Sequence, residues 1–161
     1  GQMFLMMIRA LTGDVFVVEP DPARREFALA HGASGVLTPD SNEMPEPDTI
    51  IIACSNPDAY HLALEIAPRG GKINLFGGLT EGVSIDSNEI HYKQLTLHGT
   101  SGSAPAHFTE ALETLSRKPE LGDLITDVVS FRELPDALLS RIRGDGLVLK
   151  AILDPWLAWK P

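Results

Sequence analysis

The chain has 161 residues, 43% of them hydrophobic, which is enough for one globular domain with its own apolar core. Its 22 acidic residues outnumber the 13 basic ones, and the net charge of −9 disfavours binding to nucleic acid or anionic membrane, which require clustered Lys and Arg. The single cysteine, Cys54, leaves no internal disulfide, and without a bilayer-spanning run or a signal peptide we expect a cytoplasmic protein.

Strand-like and helix-like stretches alternate along the chain. An apolar run predicts a first helix that ends at Thr12 and Gly13. Asp21 followed by Pro22 is typical of a helix start, with the aspartate as N-cap. The predicted strands are 15–18, 36–37, 49–53, 72–76, 94–98, 127–130 and 148–153, and the predicted helices are 3–11, 22–30, 58–67, 104–117 and 134–143. This alternation predicts an α/β fold with a doubly wound, mostly parallel sheet and helices on both faces.

Glu19 is the most informative position for function. It follows a buried strand, and open α/β sheets bind their ligands at the carboxyl ends of the strands. A carboxylate there accepts both adenosine-ribose hydroxyls and repels a 2′-phosphate, which favours NAD over NADP. Arg24, in the first turn of the next helix, can stack on the adenine. Two other interpretations stay open: an acidic turn residue beside a solvated arginine, and a methyltransferase, which binds ribose in the same way.

Three further strand ends carry candidate ligand contacts. The residues are Cys54, Ser55 and Asn56 after the third strand, Phe76, Gly77 and Gly78 at the end of the fourth, and His98, Gly99 and Thr100 at the end of the fifth. Ser55 can reach a cofactor ribose, whereas Asn56 suits a helix cap and Cys54 a small buried residue rather than a nucleophile. The paired glycines permit close approach of a flat ligand such as nicotinamide, or form a tight turn. The five histidines lack the spacing of metal ligands, so we expect no metal site from this chain alone.

Several segments, in this order and spacing, resemble the zinc-containing medium-chain dehydrogenases, and the sorbitol, threonine and sugar-phosphate dehydrogenases in particular. They are VVEPDPARR (17–25), AHGA (30–33), GGKINLFGG (70–78), IHYKQLTLHG (90–99), FRELPDAL (131–138) and GLVLKAIL (146–153). The resemblance implies hydride transfer between NAD and a zinc-bound small alcohol, polyol or ketone. It places Glu19 on the adenosine ribose, Arg24 on the adenine side and the three later strand ends around the nicotinamide.

The resemblance also implies a domain layout and an assembly. Residues 1–145 correspond to the family's dinucleotide-binding domain, and residues 146–161 to a strand and tail that return toward the catalytic domain. In the family, the strand near residues 94–98 often lies at a subunit contact, which implies a homodimer or homotetramer.

The chain departs from the family pattern at its beginning. The family's G-x-G-x-x-G fingerprint follows a first strand, and here only Gly1 matches its last glycine. The missing loop donates backbone N–H groups to the pyrophosphate, and losing two or three such bonds at about 1.5–3 kcal/mol each weakens a micromolar cofactor to about millimolar. We therefore expect a longer natural polypeptide that carries the zinc ligands, and an isolated chain that is inactive.

Two alternatives to the dehydrogenase hypothesis remain. A zinc-free enone or quinone reductase of the same superfamily would prefer NADPH, against which Glu19 argues. A non-enzymatic nucleotide-binding or oligomerisation module can be built on the same fold.

Overall fold

The computed structural model describes residues 1–11, 13–144 and 146–157. Its helices are α1 (Gln2–Ile8), α2 (Pro22–Ala30), α3 (Asp58–Ile66), α4 (Ser87–Lys93), α5 (Pro105–Arg117) and α6 (Leu134–Arg143), with a 3₁₀ helix at Pro119–Leu124. Its strands are β1 (Phe16–Val18), β2 (Gly35–Leu37), β3 (Thr49–Ile52), β4 (Lys72–Leu75), β5 (Thr96–Gly99), β6 (Ile125–Val129) and β7 (Lys150–Leu153).

The strands pair in parallel, as predicted, in three hydrogen-bonded groups. β1 pairs with β2, β4 lies between β3 and β5, and β6 pairs with β7. Within the residues that the structure describes, β1 pairs only with β2 and β3 only with β4, so each keeps one edge without a strand partner. The predicted parallel α/β fold is confirmed, and the carboxyl ends of β3, β4 and β5 lie at one edge of their sheet.

The main apolar core lies on one face of the sheet β3–β4–β5. Ile52 and Ile73 from the strands pack with Ala63, Leu64 and Ala67 at α3. A second, smaller cluster joins α1 to the later part of the chain through Met6, Leu121 and Leu124. The 3₁₀ helix therefore fastens the first helix to the segment that leads into β6.

Side chains close several helix ends. The Asp21 carboxylate accepts a hydrogen bond from the Arg24 amide at 3.0 Å and so caps α2, as predicted. Lys93 donates from Nζ to the backbone carbonyls of Leu64 and Glu65, at 2.6 and 2.9 Å, and satisfies the last turn of α3. Ahead of α6, the Glu133 carboxylate accepts hydrogen bonds from the amide and the hydroxyl of Ser130, at 2.9 and 2.8 Å.

The predicted elements are present, with ends that agree or differ by one to three residues, but two elements were not predicted. These are α4 and the 3₁₀ helix. The prediction that a strand begins at Gln94 is wrong, because Gln94 ends α4 with a left-handed φ of 56°. Thr12, at the predicted end of the first helix, and 145 and 158–161, at the predicted domain boundary and tail, lie outside the described residues.

Candidate functional site

The residues predicted from the strand ends lie where the strands terminate. Glu19 directly follows β1, and its amide donates to the carbonyl of Leu37 on β2 at 2.9 Å, so it extends the ladder by one residue. The prediction that this strand is buried is wrong: Phe16 and Val18 are exposed, because β1 pairs on one side only within the described residues. Cys54, Ser55 and Asn56 follow β3 and are exposed. The prediction that Cys54 is a small buried residue is wrong, because the turn that carries it lies at the end of the sheet and outside the main core. The structure therefore places Glu19 at the carboxyl end of a parallel strand, the position on which the sequence interpretation depends.

Hydrogen bonds within the turn hold Glu19 in place. One carboxylate oxygen of Glu19, Oε1, accepts from the Asp21 amide at 3.1 Å. Arg25 donates from Nη1 to the carbonyls of Glu19 and Pro20, both at 2.7 Å. The other carboxylate oxygen, Oε2, has no hydrogen-bond partner among the described residues, so it remains available to a ligand hydroxyl.

Arg24 is half-buried, and both its guanidinium and its backbone carbonyl are hydrogen-bonded to other parts of the chain. Its guanidinium donates to the carbonyl of Val148 at 3.4 Å, and its own carbonyl accepts from the Gln2 amide group at 2.9 Å. Gln2 is buried, yet its oxygen Oε1 has no partner within the described part of the chain. An unpaired acceptor in a buried position is costly, so Gln2 adds an unsatisfied polar group beside the first turn of α2.

Gly1, which matches the last glycine of the G-x-G-x-x-G fingerprint, is exposed and precedes α1 as its N-cap residue. Its carbonyl accepts from the Leu5 amide at 3.2 Å. A Cβ at Gly1 would meet no atom within 4 Å, so the backbone at this position is open to a ligand.

The turn after β4 is packed against the turn after β3. The Gly77 amide donates to the Ile52 carbonyl at 2.7 Å, and the Gly77 carbonyl accepts from the Tyr60 hydroxyl at 2.5 Å. A Cβ at Gly77 would collide with the backbone of Cys54, whereas a Cβ at Gly78 would meet no atom within 4 Å. Close approach at Gly77 is thus explained by the chain's own backbone, whereas Gly78 leaves open space for a ligand.

Phe76 makes its ring contact with a helix. Its ring lies edge-on to that of Phe4 on α1, with centroids 4.8 Å apart and planes at 88°. The side chain is nevertheless 53% exposed. Phe76 therefore joins the end of β4 to α1 and keeps half of its surface at the carboxyl edge.

Asn56 performs the capping that the sequence predicted, but in another geometry. The N-cap of α3 is Pro57, which makes no side-chain bond, and Asn56 Oδ1 accepts from the Asp58 amide at 3.0 Å. Asn56 thus satisfies one of the first free N–H groups of the helix from outside it.

At the end of β5, His98 and Gly99 are exposed and Thr100 is half-buried. The Thr100 amide donates to the Leu75 carbonyl at 3.3 Å, and its hydroxyl donates to Asn74 Oδ1 at 3.0 Å. Thr100 therefore connects the exit of β5 to β4 through both backbone and side chain.

Sequence reasoning missed three residues that position the site: Arg25, Tyr60 and Asn74. Arg25 bonds to carbonyls of the turn just before its own helix, and Tyr60 bonds to the carbonyl of Gly77, 17 residues later, so the local pattern marks neither side chain as part of the site. Asn74 did offer a signal, since a polar residue inside a predicted buried parallel strand needs a hydrogen-bond partner.

The described residues suit one of the two groups that the sequence resemblance implies, a nicotinamide dinucleotide and a zinc ion. A nicotinamide dinucleotide fits: Glu19 offers a free carboxylate oxygen, Gly78 leaves open space, and buried Gln2 holds an unsatisfied acceptor nearby. A zinc ion does not fit, because no group of three or more His, Cys, Asp or Glu side chains among the described residues could hold one. None of the described helices is long and apolar enough to cross a bilayer.

Comparison with known proteins relates this arrangement to dehydrogenases. The sequence model of the zinc-binding dehydrogenase family matches residues 1–117. Over 114 residues the chain is 29% identical to L-threonine 3-dehydrogenase from Caldanaerobacter subterraneus subsp. tengcongensis. The matched region covers 63% of this chain and 33% of that protein. The chain thus spans about a third of the length of this curated relative.

Solved structures share the fold. A short chain alcohol dehydrogenase from E. coli CFT073, complexed with the cofactor NADH, has a TM-score of 0.82 at 22% identity, over 94% of this chain and 48% of that chain. For 2R,3R-butanediol dehydrogenase from Bacillus subtilis the TM-score is 0.81 at 17% identity, over 96% and 47%. The present chain spans about half the length of each.

Proposed function

Because the chain belongs to the zinc-binding dehydrogenase family, we propose that it binds NAD at the carboxyl ends of β1, β3, β4 and β5, as the cofactor-binding part of an alcohol or polyol oxidoreductase. The relatives' names support this class of reaction: one acts on threonine, one on butanediol, and a third was solved with NADH. A bound nicotinamide supplies the centre that accepts or donates the hydride.

Glu19 carries the proposal. Its position directly after a parallel strand is where open α/β sheets bind dinucleotides. The Asp21 amide holds one oxygen of the carboxylate, and the other is free to accept from ribose hydroxyls. The same negative charge repels a 2′-phosphate, so the site favours NAD over NADP.

The ends of β4 and β5 are proposed to receive the nicotinamide half. Gly78 leaves space for a flat ring, and the neighbouring residue Phe76 is 53% exposed. Thr100 and its neighbours offer backbone groups at the exit of the adjacent strand. The role of these residues is to orient the ring and to exclude water from one side.

The remaining proposals concern the layout of the chain and its assembly. Residues 1–145 form the dinucleotide-binding unit, and residues 146–161 continue toward the catalytic part of the enzyme. Within the described part of the chain β5 pairs only with β4, and its other edge supports the homodimer or homotetramer expected from the sequence. Sedimentation equilibrium measures this assembly directly.

The proposal is tested by titrating the chain with NAD and with NADP and following chemical shifts by NMR, which detects millimolar as well as micromolar binding. We expect NAD to bind at least about tenfold more tightly than NADP. Glu19→Gln removes the charge at nearly constant shape. Because a hydrogen bond to a charged group contributes about 1.5–3 kcal/mol, we expect NAD affinity to fall at least about tenfold and the preference over NADP to narrow.

Glu26→Gln provides the matched control, since Glu26 is an exposed residue of the same region and the substitution changes the net charge equally. This variant should keep the NAD affinity and the NAD preference of the wild-type chain. Absence of saturable NAD binding, or equal effects of Glu19→Gln and Glu26→Gln, would refute the proposed site.

A further inference from the structure

We propose that the hydrogen bond between Asn74 and Thr100 positions the segment after β5 for the nicotinamide half of the cofactor. In this role Asn74 and Thr100 are positioning residues, which act through the backbone that follows β5. The inference rests on the proposed function. It adds a pair of side chains that affects binding of the nicotinamide half of the cofactor and not of the adenosine half.

The placement of Asn74 follows from strand alternation. Ile73 is buried in the main core and Leu75 packs against it, so both face α3. Successive side chains of a strand point to opposite faces, and Asn74 therefore lies on the face away from this core. Its register partner on β5 is His98, two residues before Thr100.

Two hydrogen bonds hold Thr100 at the exit of β5, and the bond from its side chain to Asn74 is the shorter one. The Thr100 hydroxyl donates to Asn74 Oδ1 at 3.0 Å, whereas the Thr100 amide donates to the Leu75 carbonyl at 3.3 Å. Gly99 ends the strand, and residues 100–104 continue without regular secondary structure to the start of α5. Without the hydroxyl, the first residue of this segment would retain only the longer backbone bond to β4.

The hydrogen bond also fixes the orientation of the Asn74 amide. With Oδ1 occupied by the hydroxyl of Thr100, the amide group is oriented so that Nδ2 remains the donor, and Nδ2 has no hydrogen-bond partner among the described residues. Asn74 lies two residues before Phe76, at the carboxyl-terminal half of β4. The pair thus orders the end of β5 beside the turn of Phe76 and Gly78, while Glu19 and Arg24 lie after β1 and are not part of it.

A purely structural role makes a different prediction. A bond that only stabilises the fold would, when removed, weaken every ligand to the same extent through the folded population. A bond that positions the segment after β5 should weaken a ligand that carries nicotinamide and leave one without it unchanged. A net neutral hydrogen bond corresponds to a change of about two- to tenfold in affinity.

The test compares NAD with ADP-ribose, which keeps the adenosine diphosphate and the second ribose but lacks nicotinamide. The full chain, Thr100→Val and Thr100→Ser are titrated with both ligands by NMR. Valine is isosteric and lacks the hydroxyl, whereas serine retains it. We expect Thr100→Val to bind NAD about two- to tenfold more weakly, with ADP-ribose affinity within a factor of two of wild type, and Thr100→Ser to restore NAD binding.

Asn74→Leu provides a second route to the same loss and keeps the test valid if Thr100→Val fails to fold. Its effect on NAD should match that of Thr100→Val, and the double variant should be no weaker than either single one, because both substitutions remove one shared interaction. Thermal unfolding of each variant verifies that the folded state is being titrated.

The outcomes separate the two proposals. If the wild-type chain binds NAD but Thr100→Val leaves the ratio of NAD to ADP-ribose affinity unchanged, the positioning role is wrong and the proposed function stands. If the wild-type chain binds neither ligand, the proposed function fails, and the positioning role fails with it.

Discussion

The two adjacent glycines after β4 give a sharp test of how the site is packed. Gly77→Ala places a Cβ against the carbonyl group of Cys54, and the turn has little freedom to move away, because Ile52 and Tyr60 hold the Gly77 amide and carbonyl. The φ of Gly77 is not positive, so the cost is steric and does not arise from backbone conformation. Overpacking against rigid backbone costs about 3 kcal/mol, which corresponds to a melting temperature lower by about 6–12 °C for a chain of this size.

Gly78→Ala is the matched control for this prediction. The substitution is chemically identical and one residue away, but its Cβ meets no atom within 4 Å. We expect the free energy of unfolding to stay within about 0.5 kcal/mol of wild type, or to rise slightly because alanine restricts the unfolded chain. Urea denaturation and calorimetry measure both variants. Equal stabilities for Gly77→Ala and Gly78→Ala would refute the reasoning.

Three predictions concern helix ends. Lys93→Met removes two charge-assisted bonds to the last turn of α3 and should lower the free energy of unfolding by about 1–2 kcal/mol in urea, while Lys72→Met, at an exposed site, should not. Asp21→Ala removes the α2 cap and should cost about 1 kcal/mol by thermal unfolding; an unchanged melting temperature would contradict the capping role. Hydrogen bonds from the amide and then the hydroxyl of Ser130 lower the pKa of Glu133. The folded state therefore favours the ionised form of Glu133. The contribution of Glu133 to the free energy of unfolding is complete above the ordinary glutamate pKa, and it is lost as the pH falls through the lowered pKa of the folded state. The free energy of unfolding should fall less steeply at acid pH in Glu133→Gln than in the wild-type chain. Equal slopes in the two proteins would contradict the stabilising role of the Glu133 carboxylate.

The strands and the longer helices could be predicted because their signals are local. Consecutive β-branched residues mark β3, and Asp21 with Pro22 marks the start of α2. The seven-residue α4 gave no such signal, since its sequence is mostly polar and Ile90 alone connects it to the main core. The 3₁₀ helix was not predicted for a related reason. Two of its leucines pack against α1, and a contact with a segment so distant in the sequence leaves no local pattern.

The candidate site was predictable to the level of strand ends. Open α/β sheets bind their ligands at the carboxyl ends of the strands, so Glu19 after β1 and the residues after β4 and β5 could be singled out without coordinates. Which of these residues contact each other depends on strand neighbours and register. For this reason the collision at Gly77 and the bond between Asn74 and Thr100 emerged only from the structure.

The bare edges of β1 and β3 have a consequence for the behaviour of the protein in solution. Both strands are rich in valine or isoleucine and carry no charged residue, and each has one side whose backbone donors and acceptors no described strand pairs. Such a side can add a strand from any extended chain, including another molecule of the same protein. Covering these two edges is therefore one way to keep the protein soluble during heating and concentration.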